Sequence, residues 1–302
     1  MITKVTPDHL QVPVTGGELH ALTWGSGDEV IVAIHGISAS AVSVQPLADR
    51  LASRYRLVAP DLRGRGGSAR LPGPFGMAAH AADMVALLDH LGIERATVIG
   101  ESMGGYVAVQ LTVSHPGRVE RLVLVDGGLP LPIPEALLAD PDAAIAAILG
   151  PALARLRMTF ESRDAYRTFW QDHPALRDVW NPYLDDYVDA DLTGEAPRFR
   201  SVVSETAVVQ DGRDQLVNKD LQRLSELTCP VTLVRAGHNL LNEPTPLFGD
   251  ETVAACIELL PQLVVISAPE LNHYSLMLTD VGADLVAGAV LSQLSAHSSA
   301  SD

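Results

Sequence analysis

The strongest constraint on the fold is a rhythm: short apolar runs recur along the chain, separated by longer stretches with helical spacing. The runs at 30–34, 56–59, 96–99, 122–125, 231–234 and 263–266 consist mostly of Val, Ile, Leu and Ala, with no polar alternation. A strand without alternation is buried on both faces, as in a parallel sheet covered by helices on each side. Strands and helices in turn make an α/β fold with a largely parallel sheet. Ahead of the first run, residues 10–14 and 18–24 flank Thr15-Gly16-Gly17 and read as an antiparallel hairpin.

Helical spacing is clearest at 78–91, where Met84, Val85, Leu87, Leu88 and Leu91 form a stripe and Gly92 supplies the C-terminal stop. Residues 103–113 form a second helical stretch, ending ahead of His115-Pro116. Residues 281–294 form a third, followed by the polar tail SAHSSASD. One interval breaks the rhythm: about a hundred residues, 127–228, separate two runs that elsewhere lie about thirty apart. It carries helical patterns near 134–149, 162–171, 176–187 and 199–209, and holds Phe160, Tyr166, Phe169, Trp170, Trp180, Tyr183, Tyr187 and Phe199. This reads as a helical cap inserted over the C-terminal edge of the sheet, where open parallel sheets bind ligands. A second, independent domain is the alternative. The expected division is a core of 1–131 and 227–297, a cap of 132–226 and a flexible tail of 298–302.

Composition narrows the partners. Of 302 residues 47% are hydrophobic and 19% charged, enough for a large buried core and too apolar for extended disorder. Lys and Arg number 21 against 37 Asp and Glu, a formal net charge of −16. Such a surface repels phosphate backbones and anionic lipid, which argues against nucleic acid or membrane as partner. The two cysteines, Cys229 and Cys256, are far apart and form no CxxC, so neither a disulfide scaffold nor a zinc site is indicated. No basic-then-apolar leader opens the sequence and no apolar run of about 18 residues occurs, so a soluble, cytoplasmic protein is expected. Oligomeric state stays open, a homodimer included.

Chemistry concentrates at Val98-Ile99-Gly100-Glu101-Ser102-Met103-Gly104-Gly105, a Gly-x-Ser-x-Gly between an apolar strand and a helix. The chain must turn sharply at Ser102, and side chains at Gly100 and Gly104 would collide with that turn. The turn raises the hydroxyl at a helix N-terminus, whose dipole favours developing negative charge. Ser102 is therefore the candidate nucleophile. A serine hydroxyl needs a base, and of ten histidines only His35, His238 and His273 follow a strand. His273 lies between the last strand and the last helix, with Ser275 placed to cap that helix, and is the candidate base. His35 is expected to shape a loop beside the site.

Val32-Ala33-Ile34-His35-Gly36, the stretch Asp61-Leu62-Arg63-Gly64-Arg65-Gly66-Gly67-Ser68, the serine motif and Asn272-His273 follow one another in the order and spacing of the α/β-hydrolase superfamily. The chain resembles that superfamily over nearly its whole length outside the cap. The resemblance implies a mostly parallel eight-stranded sheet flanked by helices, a Ser-acid-His triad and no metal or organic cofactor. It also implies an oxyanion hole built from the backbone N–H groups of Ile37 and Met103, with 61–68 as a structural turn. The acid departs from the commoner pattern: where most relatives carry Asp after the seventh strand, this chain has Leu240, with Glu243 three residues on. The sixth strand instead ends in Val125-Asp126-Gly127-Gly128, and some superfamily members carry their acid there. Asp126 is the expected triad acid and Glu243 the alternative; a turn-forming Asp ahead of two glycines is the plain reading of Asp126.

The first expectation for activity is a hydrolase of a carboxylic ester or lactone of an apolar small molecule, acting through an acyl-enzyme on Ser102. Trp170, Trp180 and Tyr183 are candidate substrate contacts in the cap. The same triad could serve a carbon–carbon bond hydrolase or a lyase, which the sequence does not separate. A third reading, from another class, is a small-molecule receptor with a damaged triad.

Overall fold

The structure is a computed structural model describing residues 3–131, 139–217 and 221–298. Eight strands form one sheet: β1 (Asp8–Val14), β2 (Gly17–Trp24), β3 (Val30–Ile34), β4 (Arg56–Pro60), β5 (Ala96–Glu101), β6 (Val119–Val125), β7 (Val231–His238) and β8 (Leu263–Asn272), in the order β1-β2-β4-β3-β5-β6-β7-β8. β1 and β2 are the expected hairpin, Val14 pairing Gly17 around a two-residue turn, and β2 runs antiparallel to β4. All other pairings are parallel. This is the α/β-hydrolase fold.

Alternate residues of the central strands feed two separate cores, as the period of two requires. Val32, Val98, Leu122, Leu124 and Leu233 face α2 (Met77–His90) and α3 (Met103–Ser114). Ile31, Ala33, Ile99, Val123, Val125 and Val234 face α1 (Gln45–Leu51) and α10 (Asp280–Ser298). Each fully buried Val, Leu or Ile contributes roughly 1.5–3 kcal/mol, so the centre of the sheet is the most rigid place from which to present reactive groups. β8 runs past its apolar segment because Ser267, Ala268 and Asn272 pair with the equally extended end of β7 at Arg235, Ala236 and His238. That extension carries the 273 position to the same edge as the tips of β5 and β6.

Between β6 and β7 lie α4 (Pro141–Arg155), α5 (Arg163–Gln171), α6 (Pro182–Ala190) and α7 (Glu205–Val217); α8 (Asp250–Leu259) and α9 (Ser275–Leu278) follow in the core. The start of the expected cap at 132–138 and most of the expected tail, 299–302, lie outside the described residues, while α10 continues to Ser298. The expected helix at 199–209 starts late. Phe199 bridges Phe160, Arg200–Ser201 pairs with Leu192–Thr193, and α7 begins only after Ser204, whose Oγ accepts the Ala207 N–H at 3.3 Å. The β-branched Val202 and Val203 favour extended backbone, and Ser204 supplies the N-cap that permits the turn into helix. α4 is broken at Gly150 (φ 35°, ψ −112°) above the C-terminal edge of the sheet. Among the described residues no helix is long and apolar enough to cross a membrane.

Candidate active site

Ser102 occupies φ 53°, ψ −122° between β5 and α3, backbone that costs a non-glycine residue about 1–3 kcal/mol. The surroundings hold it there: its N–H donates to Val125 O at 2.9 Å and its carbonyl accepts the Gly105 N–H at 3.0 Å. A Cβ at Gly104 would strike the Ile34 carbonyl oxygen, and one at Gly100 the Gly104 carbonyl. Both motif glycines are needed for close backbone approach.

His273 is buried, and its Nδ1 lies 2.7 Å from Asp126 Oδ2. Asp126 is wholly buried at the tip of β6 in left-handed backbone (φ 44°). It is anchored to β7 through its N–H on Val234 O (2.8 Å) and through Oδ1, which accepts the Ala236 N–H at 3.2 Å. Glu243 stands elsewhere: its carboxylate accepts from Asn239 Nδ2 at 2.7 Å on an exposed loop. Burial alone would lower the basicity of His273; the Asp126 hydrogen bond and charge, with the charge of Glu101, outweigh it and push the imidazole above its usual range.

Ser102 and His273 line one cavity of about 50 Å³, but no hydrogen bond joins Ser102 Oγ to the ring among the described residues. The ring's Nε2 lies instead 3.7 Å from Glu101 Oε1. Such contacts are often loose without substrate and tighten in the reactive complex. Asn272 holds the histidine loop, its Oδ1 accepting the N–H groups of Tyr274 (3.1 Å) and Ser275 (2.9 Å) while its Nδ2 donates to Ala175 O in the cap at 2.8 Å. This side chain, rather than Ser275, caps the turn that follows.

Opposite lies the 35–38 loop. Leu62 N–H donates to His35 Nε2 at 3.0 Å, so His35 carries its proton on Nδ1 and donates it to Gly36 O at 2.7 Å. Burial pushes this imidazole down to about 4. Neutral and bonded on both nitrogens, it is a brace. Ile37 N–H makes no backbone hydrogen bond among the described residues, and Met103, first in its helix, has no helical carbonyl to bond. Arg65 Nε fixes the Ile37 carbonyl at 2.9 Å, and its Nη1 bonds Asp211 of α7. The 61–68 stretch is a structural turn: the Asp61 carboxylate gathers the N–H groups of Ala41 (2.7 Å) and Gly67 (2.8 Å) and the His20 ring (2.7 Å). No group of three His, Cys, Asp or Glu side chains suited to a metal ion occurs among the described residues.

The candidate cap contacts lie away from the cavity. Trp170 is buried in the cap's own core against Tyr166, Phe169 and Tyr187, under the Arg155 guanidinium. Trp180 Nε1 donates to Asp185 at 3.2 Å, and Tyr183 OH donates to Asp49 at 2.9 Å, tying cap to core. A large aromatic gains most from full burial, and the cap's own interior claims Trp170, while Trp180 and Tyr183 stay half-buried. The cavity wall is instead Leu149, Ala152 and Tyr187 from the cap with Leu240, Tyr274 and Met277 from the core. Among the described lining residues its only ionisable acid or base side chains are Glu101 and His273, Tyr phenols aside. Glu101 has no role in the reading from sequence; its signal is a lone acidic residue closing an apolar strand immediately before the serine.

A model of the α/β hydrolase fold family matches residues 29–146. An uncharacterized protein of Mycobacterium tuberculosis is 36% identical over 127 residues, 42% of this chain and 37% of that protein. A putative carbamate hydrolase of Caulobacter sp. (strain K31) is 38% identical over 123 residues, 40% of this chain and 44% of that protein. The match thus spans less than half the length of either relative. The crystal structure of E-2-(acetamidomethylene)succinate hydrolase aligns with a TM-score of 0.80 over 96% of this chain and 100% of that one, at 21% identity, a likeness of fold. Sheet order and structural neighbours agree on the α/β-hydrolase fold, and the family model of that fold matches 29–146 of the 302 residues.

Proposed function

We propose that this protein is a serine hydrolase cleaving a carboxylic ester or lactone of an uncharged, apolar small molecule through an acyl-enzyme on Ser102. The observation that carries this reading is the Asp126 carboxylate 2.7 Å from His273 Nδ1, behind a ring that shares its cavity with a serine on strained backbone. Asp126 keeps the ring proton on Nδ1, leaving Nε2 to take the Ser102 proton after a modest reorientation of the hydroxyl. The hydroxyl oxygen attacks the carbonyl carbon, and the N–H groups of Ile37 and Met103 receive the oxyanion. The imidazolium returns its proton to the leaving oxygen; the ring then activates a water that releases the acid. The apolar wall supports a neutral substrate, since burying a carboxylate ligand against it without a cation to answer it is costly.

The test is hydrolysis of p-nitrophenyl butyrate, with labelling by a serine-directed phosphonate, in wild type and Ser102→Ala. Turnover and a phosphonyl adduct in wild type, both abolished by the substitution, are expected. Equal, negligible rates and no adduct in either protein would instead favour a receptor on this fold.

A further inference from the structure

We propose that Glu101 is a positioning residue for His273: its carboxyl group holds the ring nitrogen that faces Ser102, so that the imidazole is bracketed by a carboxyl group at each nitrogen and the serine must compete for it. The geometry is specific. Glu101 closes β5 one residue before the nucleophile, its side chain 12% exposed, with Oε1 3.7 Å from His273 Nε2. The same carboxyl packs against the 35–38 loop so closely that a Cβ at Gly36 would lie 2.7 Å from Oε2. Asp126 takes the other nitrogen at 2.7 Å.

Burial pushes the Glu101 carboxyl above the usual range, opposed by the His273 charge and the Gly36 N–H, and the Asp126 charge adds to the rise. The remaining groups facing the pair are the Tyr274 ring, 5.7 Å from the His273 ring, and Tyr187 from the cap. Behind them stands Arg155, which is paired with Asp191. Burial pushes both phenols up, so they stay neutral near neutral pH.

One proton is therefore shared between Nε2 and Glu101. It resides on the ring, giving imidazolium beside carboxylate, or on Glu101, giving a neutral ring beside a carboxylic acid. The two forms differ only in where that proton sits, so they carry the same net charge. The second form frees the Nε2 lone pair for the Ser102 proton. Glu101 thus sets the pH at which the base becomes available, and two interacting groups at this distance titrate as a pair.

The experiment uses Glu101→Gln, which keeps the side-chain shape and can still accept the Gly36 N–H but has no charge. An anion within about 4–6 Å raises the pKa of a cation by about one unit or more. Its removal should move the acid limb of the kcat/KM profile at least about one pH unit lower, with the His273 imidazole titration, followed by NMR, moving with it. In wild type the same resonance should titrate in two steps. Both limbs left in place by the variant, or one wild-type step at an ordinary imidazole value, would overturn the proposal; a loss of kcat with an unmoved profile would mark Glu101 as packing alone. The kinetic arm rests on the serine-hydrolase reading, whereas the NMR arm needs no turnover. A protein that hydrolyses no ester yet shows the imidazole shift would sink the first reading and keep this one.

Discussion

Replacing Asp126 by Asn separates the charge of that residue from its shape. Oδ1 accepts the Ala236 N–H at 3.2 Å, and an Asn oxygen can keep that bond. The amide nitrogen must then face His273 Nδ1, where a carboxylate oxygen now lies 2.7 Å away. A donor there forces the ring proton onto Nε2, the nitrogen that accepts from Ser102 in the proposed mechanism. Such a tautomer reversal costs a Ser-His-Asp enzyme about 10⁴ in kcat, which is about 5 kcal/mol of barrier. Packing is unchanged, so the melting temperature should fall little. The assay is kcat and kcat/KM for p-nitrophenyl butyrate near pH 8, beside the rate of phosphonate labelling. Glu243→Gln is the control; its partner is Asn239 on an exposed loop, and its rate should stay within about twofold of wild type, as surface changes do. A D126N protein retaining more than about a tenth of wild-type activity, or a large loss in E243Q, would refute the assignment of the acid.

Two further predictions concern stability. His35, pushed down to about 4 by burial, stays neutral in the folded chain while the unfolded chain protonates near 6.5; stability should therefore rise with pH between about 4 and 6.5, by roughly 3 kcal/mol from this residue. An NMR titration showing the His35 ring protonating near 6.5 in the folded protein would end that argument. Asp211 is buried, bonded to Arg65, His80 and the Gly76 N–H; burial works to raise its pKa, but His80 and Arg65 outweigh it and hold the carboxyl below its usual range. Asp211→Asn leaves the Arg65 charge unpaired and should cost about 3–5 kcal/mol at pH 7. Because the folded pKa is depressed, the melting-temperature gap between wild type and variant should be full above about pH 4 and shrink as pH falls below it; a gap that stays constant down to pH 3 would show that the ion pair contributes nothing.

Much of this fold is legible because burial on both sides of a sheet leaves a composition signal. The run at 30–34 coincides with β3, and the hairpin, α2 and α3 fall within a few residues of expectation. Misjudged segments are those where partners outweigh composition. The polar 267–272 stretch is strand only because β7 pairs with it. The 199–203 stretch is extended because Phe160 and Leu192–Thr193 pair across from it. Cap aromatics announce a helical insert, but periodicity does not say which rings turn inward, and Trp170 went to the cap core while Tyr187 reached the cavity.

Sheet topology explains how the proposed acid, Asp126, can stand in for one after the seventh strand. β6 and β7 are parallel neighbours in register, Val125 beside Val234, so their C-terminal tips end side by side although more than a hundred residues separate them in sequence. A carboxylate leaving either tip arrives at the same face of the histidine loop. On β6 it must turn back toward the ring, with Asp126 at φ 44° and Gly128 at φ 78°, while a Cβ at Gly127 would strike the Ser102 carbonyl oxygen. In exchange, the position after β7 is released from charge: Leu240 lines the cavity as an apolar wall. The seventh-strand acid would have placed a third carboxyl group around a ring that already has Asp126 on one nitrogen and Glu101 near the other. Three anions around one buried imidazole would each raise the others' pKa, and the ring would stay protonated. A single supporting carboxylate on the Nδ1 side is thus what lets Glu101 sit on the other.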